Sequence, residues 1–338
     1  MCREGGFVEK VTIIVNARDR FSPTERCLEE IFANTDQPFD LIAVIGGAPE
    51  HLKRRWAERF GGKARFIFNP NFLNQAQARN IGMREAKTKL AVLMDNDVFV
   101  RAGWLAAMLD CQRDTGAVMV EPVVLETKKR IHTAGNDLYV TYEGDKAYGH
   151  KHCRFYGKVL ADSSNLKRQP VDYGELHCQL VEIEPTLRLN AFDENLLEAG
   201  EVDSGLVWDR AGLKMWFEPK AVVYYNKSAP ITVDDIRFFS WRWDLRSVYE
   251  GYRYFQKKWN MDITEHGMFG DFLVRYNSQL ELIPRLWPNR VALSLDYCVG
   301  RLREKAVAFF RAPKTAIQGF RKRQIGYQEW VSNVPSRR

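Results

Sequence analysis

Leu90-Ala91-Val92-Leu93-Met94-Asp95-Asn96-Asp97-Val98 is the stretch that decides the fold: five apolar residues in succession, ending in two carboxylates. A short apolar run with helix-like sequence on either side reads as a central parallel strand covered on both faces. The acids then fall at its carboxyl end, the edge where open α/β sheets bind ligands. Two hard oxygen donors two residues apart suit a divalent cation carrying a diphosphate. Asp-x-Asp alone recurs by chance, so its weight depends on what surrounds it.

Upstream, Val11 to Val15 (VTIIV) is a β-branched run that stops at the polar loop Asn16-Ala17-Arg18-Asp19-Arg20, and a helix-like stretch follows Pro23. Phe39 to Ile45 and Ala64 to Phe68 are two more strands. Each is followed by helix-like sequence, His51 to Phe60 and then Gln75 to Lys87, where Ala78, Ile81 and Ala86 share a face. Strand and helix alternate three times before Asp95, which predicts a doubly wound, mostly parallel sheet. Downstream, Trp104, Leu105, Met108 and Leu109 mark a helix, and Ala117 to Leu125 a strand. Ile131 to Tyr142 reads as a strand with a central glycine, and Glu143 to Tyr173 as a long irregular loop beside the site. Leu176 to Ile183 is a strand, a helix carries Glu201 and Asp203, and Ala221 to Tyr225 is the last strand.

With 338 residues, 45% apolar and 12% aromatic, the chain can build one large α/β domain with an appendage, or two domains. The composition changes beyond Pro230, so a boundary is expected near Ser228, dividing residues 1–228 from a helical, aromatic-rich and basic extension over 229–338. Aromatic and basic residues interleaved over 238–259 read as packing with snorkelling cations in preference to a base-stacking surface. Helices are expected over 273–286, 291–310 and 315–330. Of the net charge of +7, the tail 301–338 holds more than all, ten Lys/Arg against Glu304 and Glu329. A near-neutral remainder argues against a nucleic-acid surface, while the basic end suits an anionic membrane or a partner. The six cysteines are scattered, and His150-Lys151-His152-Cys153 fits no closed zinc site. No signal-peptide core or run of about 18 apolar residues is seen, so a cytoplasmic protein is expected, soluble or peripheral on the inner face of the membrane.

Three blocks in order, Asn71 to Gly82 (NFLNQAQARNIG), Leu93 to Val98 (LMDNDV) and Trp104-Leu105, resemble the nucleotide-sugar-binding half of family 2 glycosyltransferases of the GT-A fold. Phe192-Asp193-Glu194, Gly200-Glu201-Val202-Asp203 and Arg210-Ala211-Gly212 resemble that family's catalytic block, so the resemblance spans roughly residues 10 to 226. It implies a Rossmann-like mixed, mostly parallel sheet flanked by helices, and an enzyme that moves a sugar from a nucleotide sugar to an acceptor hydroxyl with inversion.

The resemblance also implies roles. Asp97, and Asp95 directly or through water, would hold Mg²⁺ or Mn²⁺ on the diphosphate, with Asn226 standing where relatives often carry a metal-ligating His. Asn16, Arg18, Asp19, Arg79 and Asn80 would serve the nucleotide side along with Asp95. Glu201 is the first choice for the base that takes the acceptor proton, and Asp203 the second. His177 and Trp104 are candidate acceptor contacts, the acceptor being a glycan, a lipid-linked sugar or a protein. The second strand ends Ile45-Gly46-Gly47-Ala48 where many relatives have an Asp for the nucleoside. Two other readings stay open: a nucleotidyltransferase on a similar sheet, and a scaffold with a vestigial sugar-nucleotide pocket.

Overall fold

The structure is a computed structural model and describes residues 10–126, 129–162, 165–226, 229 and 231–263. The tail helices expected over 273–330 lie outside the described residues. Among the described residues, contacts define two compact units, residues 10–138 with 151–258, and residues 139–150 with 259–263.

The first unit begins with the alternation read from the sequence: β1 (Val11–Asn16), α1 (Thr24–Asn34), β2 (Phe39–Gly46), α2 (Glu50–Phe60), β3 (Arg65–Asn69), α3 (Gln75–Glu85) and β4 (Leu90–Asp95). There follow β5 (Val98–Val100), α4 (Trp104–Thr115), β6 (Met119–Leu125), β7 (Ile131–Thr133), β8 (Asn136–Glu143), β9 (Lys146–Cys153), β10 (Gln169–Val171), β11 (Cys178–Glu182), α5 (Ile183–Arg188), α6 (Gly200–Arg210) and β12 (Met215–Tyr225). Then come α7 (Ile236–Arg242), α8 (Leu245–Trp259) and β13 (Met261–Asp262).

The main sheet runs β10-β12-β6-β11-β4-β1-β2-β3, with β5 paired to β12 and β7 to β6. β4, β1, β2 and β3 are mutually parallel, as are β6 and β12. β11 lies antiparallel between β4 and β6, pairing Cys178 with Met94. The reversal of β11 brings His177 to the carboxyl end of β4, where the Asp95 N–H donates to the His177 carbonyl at 3.0 Å.

Period-2 alternation sorts the central strands onto two cores. Ile13, Val15, Val92 and Met94 face one, with Leu28 and Ile31 of α1, Trp56 of α2 and Trp104 of α4. Ile14, Ala91 and Leu93 face the other, with Ala78 and Met83 of α3, Trp208 of α6 and Phe217 of β12. Each such aliphatic side chain withdrawn from water contributes about 1.5–3 kcal/mol. Every β4 residue is buried, which is why the sequence there is a continuous apolar run.

Two expectations need correction. Residues 143–173 are not one irregular loop: they contain β9 and β10, and Gly135, at φ 72°, splits the preceding strand into β7 and β8. Residues 231–258 belong to the first unit, so the expected boundary near 228 falls inside it. Phe238 stacks on Phe21 at 5.0 Å and on Phe72 at 5.2 Å between ring centres. Asp235 accepts the Phe21 N–H at 2.6 Å, and the Trp243 indole donates to Asp19 at 3.1 Å. In the second unit, β13 pairs parallel with β9, Met261 against Ala147, and Asn260 donates to the Asp145 carbonyl at 3.1 Å. Among the described residues, no helix is long and apolar enough to cross a membrane.

Candidate active site

Asp95 and Asp97 leave the sheet at the end of β4, and both are buried. Asp95 is held from several sides. Asn16 donates to its Oδ1 at 2.9 Å, Gln75 to Oδ1 and Oδ2 at 2.9 and 2.8 Å, and Arg79 to Oδ1 at 3.1 Å. Arg79 also donates to the Leu176 carbonyl and, at 3.3 Å, to Asn16. The intervening Asn96 turns inward, donating to the Arg20 carbonyl and to Thr24 Oγ1, both at 2.8 Å, which fixes the turn that separates the two acids.

Asp97 is held more loosely. Its Oδ1 is buried without a hydrogen-bond partner, and Arg18 Nη1 stands 3.8 Å from its Oδ2. His177 Nδ1 is likewise buried and unpartnered, 3.4 Å from Asp95 Oδ2 without hydrogen-bonding geometry. Ligand atoms of Asp95, Asp97 and His177 all lie within 4.8 Å of one another. Oxygen and imidazole donors with unsatisfied lone pairs at that spacing fit a divalent cation.

The electrostatics are those of a site short of positive charge. Burial works to raise the Asp95 carboxyl, but His177, Arg79 and Arg18 outweigh it and hold it well below the usual carboxylate range. At Asp97 burial dominates, and with Asp95 adding repulsion against the pull of Arg18 its carboxyl is pushed up to about 7. Burial lowers the His177 imidazole, which favours the neutral form a metal requires. The rim is aromatic: Tyr225 stacks on His177 at 4.1 Å, and His132 lies 5.2 Å from both rings. The Tyr225 hydroxyl accepts from Arg18 Nη1 at 2.7 Å. Asn226 adjoins the site through its backbone, its N–H donating to the Asp97 carbonyl at 2.8 Å.

The motif ahead of β4 works as a scaffold. Asn74 caps α3 in a reciprocal box with Gln77, Gln75 reaches Asp95, and Arg79 lies fully buried beneath Asp95. Asn80 donates to the Phe192 carbonyl and to Glu194 Oε1, both at 2.9 Å, tying α3 to the segment before α6. Asp19, expected near the nucleotide, is 1% exposed and engaged by Arg20 at 2.6 Å and by Trp243. Trp104 does not meet an acceptor: it is 1% exposed in the core, and its indole N–H donates to Thr35 at 3.1 Å.

Glu201 and Asp203 occupy the first turn of α6. That turn adjoins the β11 approach, since a Cβ added at Gly200 would lie 3.5 Å from Leu176 Cδ1. Glu201 and Glu175 both act on the buried Tyr173 hydroxyl, and Glu175 stands 3.9 Å from His177 Nε2. Lys151 of β9 donates to Glu201 Oε1 at 2.9 Å, while Lys258 of α8 donates to Asp203 at 3.0 Å. The sequence pointed to His177 as an acceptor contact; pairing of β11 with β4 puts it among the possible metal ligands.

Residues 12–156 match the family described as Glycosyl transferase family 2. That match covers somewhat less than half of the chain and makes this part of it similar to family 2 glycosyltransferases. The mixed sheet is of the GT-A type, and among solved structures it is similar to that of GalNAc-T7 with UDP, GalNAc and Mn²⁺. That similarity has a TM-score of 0.51 at 15% identity and covers 65% of this chain and 43% of the other. The chain thus spans less than half the length of that solved structure. No curated protein sequence matches it.

Proposed function

We propose that the glycosyltransferase domain moves a sugar from a nucleotide-sugar donor to an acceptor hydroxyl, with inversion at the anomeric carbon. The observation that carries this reading is the convergence of Asp95, Asp97 and His177, with Asp97 Oδ1 and His177 Nδ1 buried and unpartnered. These three residues, with Asn226 alongside, would hold Mg²⁺ or Mn²⁺, which when bound neutralises charge on the diphosphate leaving group. The similar structure contains UDP and Mn²⁺, which makes them the first probes to use.

The chain's own residues do the rest. Arg79 and Asn16 keep Asp95 ionised and pointed in one direction, so its orientation is set before the donor arrives. Arg18, 16% exposed and lying over the Tyr225 ring beside Asp97, is a cation placed to meet the diphosphate. Glu201 takes the proton from the acceptor hydroxyl as that oxygen forms its bond to the anomeric carbon and the nucleoside diphosphate departs with the bonding pair. Asp203 is the second candidate, and its complete burial, 0% exposed against 9% for Glu201, favours Glu201.

Glu201→Gln tests the assignment. Transfer is expected to fall about 10²–10⁴-fold while binding of UDP with Mn²⁺ is kept. Unchanged transfer would remove Glu201 from the mechanism and make Asp203→Asn the next variant. The same proposal places the enzyme on the cytoplasmic side, acting on a glycan, lipid-linked or protein acceptor.

A further inference from the structure

The segment from Asp193 to Asp203 concentrates acids at the entrance to α6, and each meets a cation brought from elsewhere in the fold. Arg242 of α7 donates to Glu198 Oε1 at 3.0 Å, both side chains being almost fully buried. Lys258 of α8 stands 2.8 Å from Asp203 Oδ1 and 2.9 Å from Asp193 Oδ2, and the Tyr254 hydroxyl adds a bond to Asp193 Oδ2 at 3.0 Å. Lys151 pairs with Glu201; Lys151 is 27% and Lys258 25% exposed, so both lysines border solvent, while the carboxylates differ, Glu201 at 9% against Asp203 at 0%.

The backbone is seated as tightly as the charges. A Cβ added at Gly251 of α8 would lie 3.3 Å from the Leu197 N, so the helix backbone rests directly on the segment it clamps. Ala199, which leads into α6, is held at φ 65°, a left-handed conformation that costs a non-glycine residue about 1 kcal/mol or more and persists only where its surroundings impose it. The Asp203 N–H donates to the Ala199 carbonyl at 3.0 Å, closing the first turn that carries Glu201.

We infer that Lys258 is a positioning residue for the transfer reaction: by bridging Asp193 and Asp203 it locks the strained entrance of α6 and fixes where Glu201 stands. The inference rests on the proposed role of Glu201. It assigns unlike duties to the two acids of the Gly200-Glu201-Val202-Asp203 block. Asp203, 0% exposed and bridged to Lys258, anchors the turn. Glu201, 9% exposed where Asp203 is 0%, is the less deeply buried of the two and the one nearer to where an acceptor enters from solvent. It also gives the segment beyond β12 a part in catalysis, because the clamp is delivered by α8.

The test compares the full-length wild type with Lys258→Met and Lys258→Arg. Transfer is followed with a panel of UDP-sugars, binding of UDP with Mn²⁺ by calorimetry, and amide exchange across residues 199–205. Lys258→Met is expected to lower kcat about 100-fold, the cost of a misplaced catalytic group, with KM for the donor and affinity for UDP·Mn²⁺ within about twofold of wild type. Amides 199–205 should exchange faster, and Lys258→Arg should recover part of the kcat. An unchanged kcat with unchanged exchange would overturn the inference, as would a parallel loss of UDP·Mn²⁺ affinity, which would mark a general structural role. Should Lys258→Met not fold, the double variant Asp203→Asn/Lys258→Met removes the lysine together with the buried charge it faces; wild-type exchange at 199–205 in it would overturn the clamp. A wild type that transfers no sugar fails the functional reading, and the exchange comparison still decides the clamp.

Discussion

Single residues carry most of the chemistry, and the sequence disclosed them unevenly. Asp95 and Asp97 were legible because an apolar run that ends in acids has few physical readings. Glu201 was singled out from its block, and the structure places it in the first turn of α6. His177 was recognised as a pocket residue, but its place beside the two acids depends on β11 running antiparallel against β4, which no local pattern records. Trp104 was misread because helical periodicity says which face is apolar and not that the indole lies wholly within the core. Glu121 carried no sequence signal at all. It is buried in β6 and accepts N–H bonds from Gly135 at 3.0 Å, Glu175 at 3.3 Å and Asn136 at 2.7 Å. Burial outweighs these donors and pushes its carboxyl up to about 8. An acid whose folded pKa is raised makes the native state bind the proton more tightly, so its contribution to stability is present at low pH and lost as pH rises from about 4.5 towards 8. Glu121→Gln should flatten that decline relative to wild type, by up to about 1.4 kcal/mol per pH unit in urea melts at pH 5, 6, 7 and 8. Parallel pH profiles for the two proteins would contradict the account of Glu121.

At the scale of elements, the first half of the fold followed from periodicity because each strand there is apolar and each helix amphipathic. β9 escaped notice because its sequence, Lys146 to Cys153 (KAYGHKHC), lacks a clean apolar alternation. The packing of α3 on β1 depends on the absence of one methyl group. A Cβ added at Gly82 would come within 2.4 Å of Ile14 Cγ2 in the centre of the sheet. Gly82→Ala should therefore destabilise the protein by about 1–3 kcal/mol, the usual cost of overpacking, although alanine is the better helix former. Thermal melts would show this as a lowered Tm, and a raised Tm would mean that helix propensity outweighs the clash. Because α3 also presents Gln75 and Arg79 to Asp95, the same variant is expected to weaken UDP·Mn²⁺ binding.

At the scale of the whole molecule, the change of composition near Pro230 was real but marked no domain boundary. Aromatic residues beyond it enter the first core: Phe238 lies between Phe21 and Phe72, and Trp243 reaches back to Asp19. A chain ended at residue 228 should fail to fold cooperatively, while one that continues through α8 keeps those contacts; urea titration followed by circular dichroism compares the two. A stable, cooperatively unfolding 228-residue fragment would contradict this assignment of α7 and α8.

The central claim, that Asp95, Asp97 and His177 form a divalent-cation site for a nucleotide diphosphate, is tested most directly by calorimetric titration of UDP into the full-length protein with and without Mn²⁺, for wild type and Asp97→Ala. The account predicts that wild type binds UDP measurably only with Mn²⁺ present, and that Asp97→Ala loses about 10–100-fold in that Mn²⁺-dependent affinity while remaining folded. UDP binding that is indifferent to Mn²⁺, or Mn²⁺-dependent binding left intact by the substitution, would contradict it.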